Sequence, residues 1–257
     1  MRLLFVTIIF LCSLSVSGQG SKTEHVILVH GAFAPRSGWQ PVYQILTKNG
    51  YDVTVVQIPL TSLKEDVAAV ERSLERIDAK VVLVGHSWSG SVITQAGAAD
   101  NVAALVYVDA FQPDKGETTL QWVESAPAAP ESGLLPPDEN GFVYFDKAKF
   151  HAGFAADIPK EQALFMADSQ QPIAAHSFVE EIAVAAWHDK PSFGIIATRD
   201  KSINPEILHA MYERSNTKIT EIEGASHAVF LSHPKKVAKV IMEASYYDKY
   251  DVLPENK

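Results

Sequence analysis

Three side chains stand where a hydroxyl, an imidazole and a carboxylate can work as one unit. Ser87 lies in VVLVGHSWSG (81–90), where an apolar, largely β-branched run stops at Gly85 and a serine follows two positions later. This nearly matches Gly-x-Ser-x-Gly, the strand–turn–helix sequence that presents a nucleophilic serine. Ser89 occupies the place of the second glycine, and Gly90 follows it. Such a turn brings the residues two before and two after the serine against neighbouring backbone, so both must be small. Gly85 meets that demand in full, and Ser89 is among the smallest alternatives. Moving the nucleophile to Ser89 leaves Ser87 and Ser91 at the flanking positions, with no glycine. Taken alone, the stretch reads equally well as a serine capping the following helix.

A serine hydroxyl is a weak nucleophile and needs a base, which in turn needs an acid to orient it. On a sheet of this kind both belong after later strands, in the order Ser, Asp or Glu, His. GIIATRDKSINP (194–205) places Asp200 just beyond an apolar run, and EIEGASHAVFLSHP (221–234) places His227 in a following loop. His233 is a rival base, although it directly precedes Pro234 and reads as a helix start. Asp109, at the end of LVYVDAF, is a rival acid. Acyl transfer also needs amide donors for an oxyanion. The Trp88 amide is one, and VHGAFAPRSGW (29–39) offers Ala32 or Phe33 after the turn that Gly31 permits. His30 reads as a tether for that loop. His86 adjoins Ser87 on a strand end and points to the opposite face. The nine histidines and the carboxylates show no metal-ligand spacing such as HExxH, so this chemistry calls for no metal or cofactor.

The elements that must position these residues alternate. HVILVH (25–30), YDVTVVQIP (51–59), KVVLVG (80–85), VAALVYVDAF (102–111), SFGIIAT (192–198) and KITEIEG (218–224) read as strands. Helical patterns fall at 37–50, 62–77, 89–99, 205–215 and 234–247. In the second of these, Leu63, Val67, Val70, Leu74 and Ile77 form one apolar face, and Ser62 with Glu65 makes a capping box. The alternation predicts an α/β fold: a mostly parallel sheet of about six strands with helices on both faces. Residues 112–190 break the rhythm and predict a helical cap inserted before the last two strands. ESAPAAPESGLLPPDENG (124–141) opens the stretch. FDKAKFHAGFAAD, PKEQALFMADSQ and AAHSFVEEIAVAAWHD then read as helices. Three or four of the cap's Phe142, Tyr144, Phe145, Phe150, Phe154, Phe165, Met166, Phe178 and Trp187 are expected to face a pocket, and the others to join cap to core.

Residues 1–18, MRLLFVTIIFLCSLSVSG, combine Arg2, an apolar run too short to span a bilayer comfortably, and small residues before a cleavage point near Gly18. They read as a signal peptide and predict a secreted or periplasmic protein. The organisation is then signal peptide 1–18, first part of the core 19–111, cap 112–190 and second part of the core 191–257. The only cysteine, Cys12, leaves with the signal, which removes disulfides and thiol nucleophiles from the mature chain. A net charge of −9 over 257 residues argues against a nucleic-acid footprint and gives no reason for binding anionic lipid after signal cleavage. Oligomeric state has no signature in the sequence.

Together, VILVHGAF, VVLVGHSWSG, LVYVDAF, IIATRDK and GASHAVFLSHP, in this order and at these distances, resemble the α/β-hydrolase superfamily. The resemblance is to its small, cap-bearing, esterase-like branch, which includes plant methylesterases, hydroxynitrile lyases and related bacterial hydrolases. It implies Ser87 as nucleophile, His227 as base, Asp200 as acid and an oxyanion hole at Ala32 and Trp88. The motifs are specific for fold and triad and not for substrate; the leading expectation is a small-molecule carboxylic ester with a small or medium apolar group, cleaved through an acyl-enzyme. Ser89 for glycine is the departure from the pattern. Alternatives on the same residues are cyanohydrin cleavage, C–C bond hydrolysis and lactone opening. For the first of these, Lys201 is the candidate cation. A non-catalytic ligand-binding member of the fold is a further alternative.

Overall fold

The computed structural model describes residues 23–246. The N-terminal segment read as a signal peptide therefore lies outside the described residues. The chain runs β1 (His25–Val29), α1 (Gln40–Lys48), β2 (Asp52–Val56), α2 (Leu63–Leu74), β3 (Val81–His86), α3 (Ser89–Ala96) and β4 (Val102–Val108). The stretch that breaks the alternation contributes α4 (Thr119–Val123), β5 (Phe142–Val143), α5 (Phe150–Gly153), α6 (Lys160–Asp168) and β6 (Ile173–Ala174). The main pattern resumes with β7 (Ser192–Ala197), α7 (Pro205–Arg214), β8 (Lys218–Ile222), α8 (Val229–Ser232) and α9 (Pro234–Ala244).

Six strands form one sheet in the order β2-β1-β3-β4-β7-β8, and every neighbouring pair is parallel. Its central strands are apolar along their whole length because helices cover both faces; all six residues of β3 are buried. Leaving β1, the chain goes first to β2 on one side and then to β3 on the other. In open parallel sheets the loops diverge at such a reversal and leave a crevice at the carboxyl ends of the strands. Register brings those ends level: Val29 pairs with Gly85, His86 with Val108, and Val108 with Ile195. The residues just beyond β1, β3, β4 and β7 therefore share one edge.

Local signals hold with small corrections. Ser62 caps α2 by accepting from the Glu65 amide at 3.0 Å. The Glu65 carboxylate does not complete the box; it accepts from the Thr61 hydroxyl. The helix read at 37–50 begins as a 3-10 turn, Arg36–Trp39, before α1. The larger difference is in AAHSFVEEIAVAAWHD, which forms two 3-10 turns, Ala175–Val179 and Ala186–His188, in place of a helix. The backbone between them is committed elsewhere. Ile182 N–H donates to the Glu117 carbonyl at 2.9 Å, and Gly116 N–H donates to the Ile182 carbonyl at 2.8 Å. Tertiary pairing thus overrides a helical pattern of apolar residues.

Candidate active site

Ser87 follows β3 directly, in the left-handed backbone region with φ 56°. That conformation costs a non-glycine residue of order 1–3 kcal/mol and persists only where its surroundings impose it. Here they do. The Ser87 carbonyl accepts from Gly90 N–H at 3.0 Å and from Phe111 N–H at 3.3 Å. A Cβ on Gly85 would lie 2.7 Å from the Ser89 carbonyl oxygen, so the turn closes only on glycine there. Ser89 is fully buried, and its hydroxyl reaches the carbonyls of Val29 and His86, both at 2.9 Å. In place of a glycine, a serine bonds β1 to the end of β3. Phe33 (φ 65°) and Asp109 (φ 50°), in the segments after β1 and β4, share the same unusual backbone region.

His227, in the loop after β8, brings its Nε2 to 2.9 Å from Ser87 Oγ. Its Nδ1 lies 2.8 Å from Asp200 Oδ2 and 3.2 Å from Asp109 Oδ2. Oxygens of both aspartates face Nδ1–H, which leaves Nε2 free to accept from the Ser87 hydroxyl. Burial by itself would lower the His227 pKa. The charge of Asp200 and the hydrogen bonds to both aspartates overcome this and hold it above the ordinary 6.5. Both rival acids thus reach the same imidazole. Asp200 also accepts from the amides of Ser202 (2.7 Å) and Ile203 (3.1 Å), and Asp109 from the amide of Ala197 (2.9 Å). Among the described residues these three form the His/Asp grouping close enough for a shared ion, within 4.8 Å, and both carboxylates are already spent on the imidazole.

The loop carrying His227 is pinned on three sides. His86 Nε2–H donates to the His227 carbonyl at 2.9 Å. Ala228 N–H donates to the Phe154 carbonyl at 3.0 Å, and Ser226 N–H to Asp157 Oδ2 at 3.1 Å. His86 is thus a backbone tether, kept neutral by burial, and not a partner of Ser87. His233 sits at the start of α9, with Nδ1 against the Ser232 hydroxyl at 2.9 Å. His30 ties its loop down: Nδ1–H donates to the Gly31 carbonyl at 2.8 Å, and Nε2 accepts from the Ile58 amide at 3.2 Å.

A cavity of about 60 Å3 opens beside Ser87, lined by Ala32, Phe33, Trp88, Phe145, Phe154 and Phe178 among others. Three of the cap aromatics named from the sequence, Phe145, Phe154 and Phe178, face it. Lys201 is not among its lining residues. A second cavity of about 350 Å3 shares Phe111, Val123, Leu134, Ser202 and Ile203 with the first, under the Pro/Ala segment 126–130. The Phe33 amide donates to the Gln171 carbonyl at 3.0 Å and is therefore engaged with the cap. Neither Ala32 nor Trp88 has a backbone acceptor for its amide among the described residues.

One residue at the site escaped the sequence reading. Asp66, fully buried in the first turn of α2, accepts from Trp88 Nε1–H at 2.8 Å and from Leu60 N–H at 2.7 Å. The signal was present: Asp66 is three residues after Leu63 and four before Val70, on the apolar stripe. Burial raises its pKa to about 6, against the pull of those two donors. The folded state thus holds this proton more tightly than the unfolded chain does. The group's contribution to stability is complete below pH 3.8 and is lost as pH rises through about 6. Asp66→Asn turns an amide NH2 toward one of the two donors and is expected to cost about 1–3 kcal/mol. Thermal unfolding between pH 4 and 7 checks this. The variant should be less stable and lack the parent's decline with rising pH, and an unchanged slope counts against it.

A parallel α/β sheet with a strained serine after a central strand, facing a histidine and carboxylates from later loops, defines a hydrolase architecture. Residues 26–240 match the model of the alpha/beta hydrolase family, and the chain belongs to that family. It is 26% identical to Salicylic acid-binding protein 2 of Nicotiana tabacum over 87% of this chain and 97% of that protein. It is 25% identical to Probable hydrolase R7 of a Phoma species, over 85% and 96%. The crystal structure of polyneuridine aldehyde esterase superposes with a TM-score of 0.76 at 19% identity, covering 87% of this chain and all of that one. The protein is an enzyme, and its curated relatives are named hydrolases and methylesterases.

Proposed function

We propose that the protein cleaves a carboxylic ester carrying a small or medium apolar group, through an acyl-enzyme on Ser87. His227 Nε2 takes the Ser87 proton as Oγ attacks the carbonyl, and Asp200 holds the ring and stabilises the imidazolium that forms. The amides of Ala32 and Trp88 receive the oxyanion, since the Phe33 amide is engaged by Gln171. The alcohol leaves with the proton from His227. Water activated by the same nitrogen then attacks the acyl-enzyme and releases the acid. The observation that carries this reading is the 2.9 Å approach of His227 Nε2 to a Ser87 Oγ held at φ 56° in the floor of an apolar cavity. The small apolar chamber supports the small group of the ester, and the adjoining larger one offers room for its other half. Cyanohydrin cleavage loses its candidate cation, because Lys201 does not line the chamber. Export belongs to the same reading and is supported by Arg2 and the apolar run at 3–14.

The test is covalent. A fluorophosphonate probe should add to the protein once, with peptide mass spectrometry placing the adduct on Ser87 and hydrolysis of p-nitrophenyl acetate ceasing in proportion. Turnover that survives full labelling, or a label on another residue, overturns the assignment.

A further inference from the structure

The site holds one more carboxyl group than this chemistry uses. His227 offers a single Nδ1–H, and two fully buried oxygens face it, from Asp200 at 2.8 Å and from Asp109 at 3.2 Å. Their surroundings differ. Asp200 takes two backbone amides besides the imidazole, the arrangement that stabilises a carboxylate. Asp109 takes one, from Ala197, and its second oxygen has only the shared imidazole. Two anions this close in a water-excluded pocket, with one imidazole between them, repel each other, and one of them retains a proton.

The other titratable groups facing the cluster do not relieve this. His86, from β3, is buried and neutral, with its Nε2–H committed to the His227 carbonyl. Tyr212, from α7, donates its hydroxyl to the Ala110 carbonyl at 2.7 Å, and burial holds it un-ionised.

We propose that Asp109 is a second carboxyl partner of His227, protonated beside the ionised Asp200, and that it ionises and orients the histidine when Asp200 is made neutral. Asp109 is thus a positioning residue, acting through His227. The backbone supports this: Asp109 holds φ 50° just beyond β4, a strained conformation that turns its carboxyl into the pocket. Burial, and then the charge of Asp200, push the Asp109 pKa well above the carboxylate range, in agreement with the geometry.

The consequence is an unusual tolerance. Where one acid alone orients the base, its amide variant loses about ten-thousand-fold in kcat because the wrong tautomer is favoured. Here Asp200→Asn leaves Asp109 without its repelling neighbour. The Asp109 proton goes to solvent, and the new carboxylate accepts from Nδ1–H, so the expected loss is only about ten- to a hundred-fold. Asp109→Asn turns an amide NH2 toward either the Ala197 amide or the imidazole but leaves Asp200 as the orienting acid, so kcat is expected to fall by less than about tenfold, and by less than in Asp200→Asn. The double variant should fall by the full ten thousand or so. The acid limb of kcat/KM should stay above pH 6.5 in both single variants and drop below it in the double, where burial alone acts on His227.

The proposal rests on His227 serving as base to Ser87, and the experiment keeps the two apart. Infrared spectra at pH 8, where Asp66 is ionised, should show a neutral carboxylic acid band in the parent that disappears in D109N. That band does not depend on catalysis, whereas an active Ser87→Ala variant would defeat the base assignment and leave the band untouched. If D200N does not fold, D200S replaces it in the kinetics. A parent without the band, D200N as slow as the double variant, or D109N as slow as D200N each overturns the proposal.

Discussion

Ser87→Ala is expected to lower kcat for p-nitrophenyl acetate by about a million-fold, and His227→Ala by a similar factor. The double variant should be no slower than either one, because hydroxyl and imidazole act as one unit across a single 2.9 Å hydrogen bond. What remains is the contribution of the apolar chamber and the two amides, about a thousand-fold over water in systems of this kind. Truncating Ser87 should leave the fold intact, since the turn is held by its carbonyl and not by its side chain. Steady-state rates and melting temperatures of the three variants check this together. A single variant within tenfold of the parent, or a double variant far below both singles, would show that the two side chains do not cooperate.

Gly90→Ala should damage the same turn from behind. A Cβ on Gly90 would lie 2.0 Å from the Phe111 carbonyl oxygen and 2.7 Å from its amide nitrogen. Both are backbone atoms, so no side chain can swing away. The start of α3 must move instead, and Phe111 N–H, which bonds the Ser87 carbonyl, moves with it. Overpacking of this kind costs about 1–3 kcal/mol or more. A displacement near 1 Å at Ser87 would cost about a hundred-fold in kcat. Chemical denaturation and kcat should therefore worsen together. Full activity with parental stability would mean that the close approach at Gly90 is not what shapes the turn.

This locates the departure seen in the motif. The sequence pattern marks position 89 as the place for glycine, yet Ser89 fits because its hydroxyl reaches two strand-end carbonyls. Within this turn the packing demands glycine at 85, where the Ser89 backbone fills the space a side chain would need, and at 90, where the Phe111 backbone does.

The α/β order and the candidate residues were legible because they are written locally. A buried parallel strand must be apolar throughout, a surface helix must carry one apolar stripe, and a serine between them must have small neighbours. These demands act within a few residues of chain, so VVLVGHSWSG and the later positions of Asp200 and His227 display them. What could not be read there depends on residues brought together from distant strands. The sequence presents Asp109 and Asp200 as rivals, and strand register places both on one nitrogen of His227. Asp66 lies 22 residues before the Trp88 it holds, and only the packing of α2 beside α3 joins them. Of the two amides the sequence offers at Ala32 and Phe33, the second is taken by a carbonyl at Gln171, far along the chain. The stretch 174–189 has apolar residues spaced for a helix, and its backbone takes partners at 116–118 instead. Sequence by itself determined the architecture and the chemistry available at the strand ends. The tertiary structure decided which polar groups share a partner, because hydrogen bonds in a buried site are allotted by three-dimensional distance and not by spacing along the chain.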